Sequence, residues 1–432
     1  MSVSILIKHG ICLCVLGNIS AASAASYSAA SCSSTAVASA ITSASSGDTI
    51  LVPAGTCTWS TPVVLNKSIS VNGAGIDSTI IIGNGFSIPT GVDHYRITGF
   101  TFNGNWGSNF IIQHAQSRTG NKNFRIDHNK FMNKAYTTSG TILFHGYSYG
   151  VVDHNIFQDT LDEILSFGGD GATASTRSPV VGGYENGTIF VEDNQFTLTN
   201  ACRDHYAPDP NGAAENLFDG NSGPRVVFRY NTIIDHLNCR WLSAIETHGF
   251  ESEFSTVGDA RAFYSVEIYG NTFTSNYPGV AQAIKFRGLQ GGGVIFNNTF
   301  SGTGQSFSNF AQLKNLRSQT TNSTGSLSIG NIHAAGYTEF CHARQSTEST
   351  SLTCEKCNAQ PGSCFGQVNN LYIWNNSNAG PVFVDSTDFT PVDIVLNNNY
   401  FLSSMPGYIA YPYPHPLTNQ AGLPAPTNLR TQ

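Results

Sequence analysis

Six segments of this 432-residue chain repeat one phrase built around an asparagine. Phe124-Arg-Ile-Asp-His-Asn129-Lys-Phe and Val151-Val-Asp-His-Asn155-Ile-Phe open the series, and the phrase recurs around Asn194, Asn231, Asn271 and Asn298. An apolar residue stands three before and two after each asparagine, and the stretch in front alternates as a strand does. Successive asparagines are 26, 39, 37, 40 and 27 residues apart. A fixed phrase at uneven spacing means constant strands joined by loops of variable length. Such a chain winds into a solenoid whose coils stack on one another. At a coil spacing of about 4.8 Å, the asparagine amides would form a hydrogen-bonded ladder inside a turn.

Composition fits an all-β solenoid. Only 11% of residues are charged, while Gly (43) and Phe (27) are abundant. The net charge of −7 and the absence of a long basic run exclude a nucleic-acid partner. Residues 1–25 read as a secretory signal: Lys8 and His9 precede the apolar stretch Ile11 to Ile19, and Ala22-Ser23-Ala24 offers a cleavage site. The apolar stretch is too short to span a bilayer. The chain is therefore expected outside the cell or in the periplasm, as a monomer. Of its ten cysteines, Cys12 and Cys14 would leave with the signal, and the remaining eight are expected to pair.

Residues 33–46 are the best helix candidate. Val37, Ile41 and Ala44 share a face, Ser33 or Ser34 caps the start and Gly47 ends it. Placed ahead of a solenoid of residues 26–402, this helix would cover its open apolar end. Cys32 and Cys57 flank it and are expected to staple it to the first strands. Cys202 and Cys239 each follow a ladder asparagine by eight residues, which places them side by side on adjacent coils. Cys341, Cys354, Cys357 and Cys364, with His342 nearby, admit a zinc site, but two disulfides are the default in an exported chain. Residues 403–432, rich in proline, should run extended over the outside.

The phrases Asp48-Thr-Ile-Leu-Val-Pro-Ala-Gly55 and Lys67-Ser-Ile-Ser-Val-Asn-Gly-Ala-Gly75 resemble the opening coils of right-handed parallel β-helix proteins of the pectate-lyase-like superfamily. The resemblance extends through the asparagine repeats, roughly residues 30 to 400. It implies a single-stranded right-handed parallel β-helix. The superfamily's polysaccharide lyases place their catalytic groups on the outer face of the sheet preceding the asparagine-bearing strand, and the resemblance implies the same place here.

One further phrase occurs twice: Ser243-Ala-Ile-Glu-Thr-His-Gly249 and Gln282-Ala-Ile-Lys-Phe-Arg-Gly288. Alternation points Ile245, Thr247, Ile284 and Phe286 inward, and Glu246, His248, Lys285 and Arg287 outward. Stacking would lay Glu246 over Lys285 and His248 over Arg287. The same alignment gives one outward column of His114, His145, Asp219, His248, Arg287 and Lys314. A second holds Leu143, Leu217, Glu246, Lys285 and Gln312. Together they outline a groove across the strands that suits a sugar polymer. The competing reading is a solvated face whose charges pair across coils and contribute little.

The superfamily's lyases act by β-elimination beside a uronate carboxylate, which needs a base and cations to hold the developing enolate. Some of them resemble this chain in using a lysine and an arginine, by residue type only. Lys285 or His248 would be the base, Arg287 the carboxylate's fork of donors, and Glu246 the partner of Lys285. An acidic polysaccharide is the expected substrate. Asp219 and Glu246, read as a diagonal pair roughly 8 Å apart, leave open an inverting hydrolase, although the Gly-Asp-Asp type signature of the superfamily's hydrolases is missing. A non-catalytic glycan binder is the third reading.

The polar loop 200–211 would hold Arg203, Asp204 and His205 over the groove, with Arg240 near Arg203. Asp127, Asp153 and Glu192, two before their ladder asparagines, form an acidic column. Its default reading is a solvated ladder neighbour, and its alternative a Ca²⁺ site, suggested by the likeness of Ile126-Asp-His128 to a pectate-lyase phrase. The Arg-x-Pro-x-x-Arg signature of pectate lyases is missing.

Overall fold

The computed structural model describes residues 24–104, 110–117, 119–134, 140–161, 163–169, 181–182, 187–200, 213–214, 216–221, 223–241, 243–247, 263–279, 283–303, 307, 309–314, 368, 370–384 and 394–419. Among them the strands form three parallel sheets of twelve, ten and nine strands, with one small two-stranded sheet. Each coil visits the three large sheets in turn. Lys122–Asp127 lies in the twelve-stranded sheet, Lys130–Met132 in the nine-stranded sheet and Ile142–His145 in the ten-stranded sheet. The chain then returns to the first sheet at Tyr149–Asp153, one coil on. This is a right-handed parallel β-helix.

The asparagine turn sets the register. The Nδ2 of Asn129 donates to Oδ1 of Asn155 (3.2 Å), and the pattern passes through Asn194, Asn231, Asn271 and Asn298 at 2.9–3.1 Å. Asn376, outside the repeats read from sequence, accepts from Asn298 at 2.9 Å and extends the ladder by a rung. Each Oδ1 also accepts the backbone N–H of the preceding rung, as Asn231 does from Asn194 at 3.0 Å. The residue before each asparagine is left-handed: His128, His154, Asp193, Tyr230, Gly270, Asn297 and Asn375 have φ between 52° and 69°. That conformation turns the chain sharply and aims the asparagine inward.

The apolar positions of the phrase fill the interior. Ile126, Val152, Val191, Phe228, Ile268 and Ile295 pair in consecutive register and are buried. On the nine-stranded sheet Phe102, Phe131, Phe157 and Phe196 stack in a file, with ring centroids 5.2, 4.9 and 4.8 Å apart. A column of identical rings needs offset stacking at the coil repeat, and the sheet supplies that spacing.

The helix at Ser34–Ser43 packs Val37, Ala40 and Ile41 against the first strands. Ser33 caps it, accepting from Ala36 N at 3.3 Å. It stops at Ser43, short of Gly47. The cause is distant in sequence: Lys67 Nζ donates to the carbonyls of Ile41, Thr42 and Ala44 at 2.9, 2.7 and 2.6 Å. A cation there satisfies the orphan carbonyls and complements the helix dipole. Cys32 and Cys57 are disulfide-bonded beside this cap, with their Cα atoms 5.7 Å apart.

The outer face of the twelve-stranded sheet carries an apolar patch of Tyr149, Val151, Phe190, Val227, Tyr269, Val294 and Phe296. Residues 405–417 lie across it, burying Tyr411 and Leu417. Arg229 holds this segment by donating to the carbonyls of Tyr411 (2.7 Å) and Pro412 (2.8 Å).

Truncating one ladder rung should be costly. Asn231→Ala orphans the Asn194 amides and the Val191 and Arg229 carbonyls that it serves. At about 1–3 kcal/mol per uncompensated buried group, a loss of about 3 kcal/mol or more is expected in urea unfolding. A change under about 1 kcal/mol would show that the ladder does not set stability.

Candidate functional site

The outer face of the ten-stranded sheet carries a row of charged side chains. Phe86, Ile112, Ile142, Leu165, Phe218, Ile245, Ile284 and Ala311 pair in series and fill the core. The residue after each of them stands on the outside. The resulting column is Ser87, Gln113, Leu143, Ser166, Asp219, Glu246, Lys285 and Gln312.

Glu246 and Lys285 are direct cross-coil neighbours, with Lys285 Nζ 3.3 Å from Glu246 Oε1. Ser243 Oγ lies 2.7 Å from Glu246 Oε2 and 3.1 Å from Asn216 Oδ1. Glu246 is thus fixed from both sides and only 4% exposed. Asp219 is 6% exposed and accepts from Gly220 N at 2.6 Å. One coil further back, Ser166 Oγ bonds to Glu163 Oε2. Three carboxylates and a lysine therefore follow one another along the coils, and Glu163, Ser166 and Ser243 are members that the sequence did not suggest. Their signal was faint: a serine three residues from a glutamate, in opposite order in the two phrases.

Two columns read from sequence need correction. Asp219 does not stand level with His248. Phe218 pairs with Ile245, so Asp219 is level with Glu246, about 5 Å away on the adjacent coil, in place of the expected diagonal of 8 Å. Leu217, expected outside, is fully buried before the strand. His114 also points inward. Its Nε2 is 2.5 Å from Tyr95 Oη, and its ring packs edge-on to Phe124 and Phe144 at 5.1 Å. Burial, aided by the charge of His145, holds its imidazole down at about 3.

His145 does lie on the outer face, in a second column with Gly168 and Asn221. A side chain at Gly168 would run into the His145 ring, so glycine gives that ring room to lean over the next coil. Arg287 and Lys314 pair in register two and three coils beyond Asn221. His145 is four coils from Lys285, about 19 Å away at the coil spacing, too far to share a reacting atom.

Arg203, Asp204, His205, His248, Cys202, Cys341, Cys354, Cys357 and Cys364 lie outside the described residues. Cys239 is buried and disulfide-bonded. Arg240 lies over the Tyr277 ring, 5.4 Å from its centroid. Beside it is a group the sequence reading passed over: burial pushes the Asp235 carboxyl up to about 7, against hydrogen bonds from Ser275 and the Trp241 backbone and the charge of Arg240.

Asp127, Asp153 and Glu192 are not solvated; all three are fully buried. Arg96 donates to Asp127 through Nε at 2.6 Å, Arg125 pairs with Asp153 at 2.6 Å, and Arg229 pairs with Glu192 at 2.6 Å. Their oxygens are taken up by guanidinium groups beneath the C-terminal segment. Among the described residues, no group of three His, Cys, Asp or Glu side chains is placed to hold a metal ion. No helix among them is long and apolar enough to cross a membrane.

No protein-family model matches the chain, and no curated protein matches it. Solved structures similar to it include the A-modules of the mannuronan C-5 epimerases AlgE6 and AlgE4 of Azotobacter vinelandii. The first is 10% identical, covering 83% of this chain and 96% of that one at a TM-score of 0.30. The second is 11% identical, covering 78% and 89% at 0.23. The catalytic domain of a GH87 α-1,3-glucanase with nigerose is 15% identical, covering 91% and 70% at 0.27. Likeness this low says nothing of what the chain does; the fold rests on its own sheets.

The inward histidine has a consequence for pH. Because the folded His114 stays neutral down to about 3 while the unfolded imidazole charges near 6.5, the unfolded chain binds the extra proton between those values. Stability should therefore fall as pH drops from about 6.5 towards 3. His114→Gln should flatten that part of the profile in urea titrations. Parallel curves for the two proteins from pH 6.5 to 4 would return His114 to the solvent face.

Proposed function

We propose that this chain is an exported, monomeric enzyme that cleaves an acidic, uronate-containing polysaccharide by β-elimination in the groove on its ten-stranded sheet. The observation carrying the reading is the Glu246–Lys285 pair, fixed on the outer face next to the arginine and lysine positions 287 and 314. A groove running along the coils presents a repeating polymer with a residue about every 5 Å. Positions 285, 287 and 314 put a lysine, an arginine and a lysine on two adjacent coils, and a uronate carboxylate and the enolate derived from it need cations.

Lys285 is held by a carboxylate, which suits it to neutralising charge better than to taking a proton. The base then falls to His248, next in sequence to Thr247 at the strand's end. His145, Asp219 and Arg240 would line the groove away from the reacting carbon, with Arg203, Asp204 and His205 contributed by the loop. The resemblance to pectate-lyase-like proteins agrees with this placement. Fold alone does not choose a reaction.

A hydrolase is the second reading, and one observation favours it: Asp219 and Glu246 stand level on adjacent coils. Backbones one coil apart, about 5 Å, bring the two carboxylates closer than the diagonal expected from sequence, the direction in which a retaining pair departs from an inverting one.

Incubation with alginate, pectate, glucuronan and glycosaminoglycans separates these readings. A lyase generates an unsaturated end absorbing in the near ultraviolet, a hydrolase releases reducing ends without it, and a binder does neither. Lys285→Ala and His248→Ala should each lower the absorbance-forming rate at least about 10²-fold; His248→Ala should keep the melting temperature, whereas Lys285→Ala should lower it because the buried Glu246 loses its cation. Full activity in both would remove this site. Reducing ends without absorbance, lost in Asp219→Asn, would establish the hydrolase.

A further inference from the structure

On a different side of the coil from that groove, the C-terminal segment and the asparagine turn enclose a cleft of about 420 Å³. Its floor is the row of left-handed residues that precede the ladder asparagines. His128 and His154 follow one another on neighbouring coils, their rings stacked 5.0 Å apart and 7° from parallel. Each ring is oriented by its own sequence neighbour: His128 Nδ1 is 2.7 Å from Asp127 Oδ2, and His154 Nδ1 is 2.8 Å from Asp153 Oδ2. Nε2 is then the polar atom that each ring offers to the cleft. Asp193 continues the row, and the tail supplies the opposite wall with Tyr413, Pro414 and Asn419.

The wall is held in place. Tyr413 Oη donates to Asp193 at 2.7 Å, and Arg125 Nη1 donates to the Thr418 carbonyl at 3.1 Å. Tyr413 and its neighbour Tyr230, ring centroids 4.0 Å apart, are 47% and 39% exposed. Exposed ring surface beside oriented polar side chains, in a space of this size, is the composition of a small-ligand site.

Charge narrows the ligand class. Arg96 and Arg125 are set against Asp127, Asp153 and Asp193, two cations against three carboxylates. Its bond to Asp153 raises the His154 imidazole towards its charged form, which offsets Asp193 and leaves the cleft with no excess of either sign to attract an ion. It suits a neutral ligand rich in hydroxyl groups, which can donate to Asp193 and exchange hydrogen bonds with Nε2 while an apolar ring face lies on Tyr413.

We infer that this cleft is a non-catalytic binding site for a neutral sugar unit, formed jointly by the C-terminal segment and the turn residues His128, His154 and Asp193. It is separate from the proposed catalytic groove and does not rest on the elimination chemistry. A neutral glycan bound here would tether the molecule to a matrix in which its acidic substrate is embedded.

Two substitutions test it without breaking the turn, because asparagine tolerates the left-handed backbone: His154→Asn and Asp193→Asn. The full chain would be titrated calorimetrically with cello-, xylo-, manno- and laminari-hexaose and with oligogalacturonate and oligomannuronate. At least one neutral hexasaccharide should bind, and each variant should weaken it at least about tenfold. Lys285→Ala should leave that binding unchanged. Melting temperature checks both variants, and one folded variant suffices to decide. The inference is overturned if no neutral hexasaccharide binds, if binding survives in a folded variant, or if only uronate oligomers bind and Lys285→Ala abolishes it. Because binding is the readout, failure of the elimination reading would leave this result standing.

Discussion

The side-chain amide ladder is the interaction on which the molecule depends. Each turn between the twelve- and nine-stranded sheets breaks the strand and would bury unpaired backbone groups. Asn194 shows the pattern: it donates to two backbone carbonyls and the next asparagine, and accepts the backbone N–H of the rung before it. The amide therefore satisfies its own turn and locks it to the neighbour at the sheet spacing. Because strand side chains alternate, a slip of one residue would exchange core and surface along a whole coil. The ladder prevents that slip, so positions far apart in sequence meet on the outer faces.

Two of those faces are used in opposite ways. The twelve-stranded sheet turns apolar rings outward and is covered by the C-terminal segment, which also covers three arginine–carboxylate pairs. Such pairs gain little net stability once desolvation is counted, but removing one partner leaves a buried charge that costs several kcal/mol. They act here as fasteners: Arg229 joins Glu192 to the carbonyls of Tyr411 and Pro412. The outer face of the ten-stranded sheet instead keeps its Glu246–Lys285 pair uncovered by that segment.

The parts legible in the sequence were those fixed by short, local pattern. The ladder, the inward apolar positions and the helix start at Ser33 all follow from spacing within a few residues. The Glu246–Lys285 contact was legible because its two phrases have nearly equal lengths after their asparagines. Asp219 and His114 were misplaced because loops of different length separate their strands from the ladder, and counting residues across a loop does not fix register. Backbone pairing does, and it shifts Asp219 into the Glu246 column. The helix end was missed because Lys67, which caps it, lies more than twenty residues away.

From its sequence alone this chain is committed to winding: alternating apolar residues bracketing an asparagine specify a stacked coil whatever the loops do. The sequence also names the charged residues that can face outward. Which of them face one another was decided only by tertiary structure. So was the fate of Asp127, Asp153 and Glu192, which become buried partners of arginine once the tail folds back over them. The reason is physical: local pattern dictates the direction of a side chain, whereas its solvent and its neighbours are set by segments hundreds of residues away.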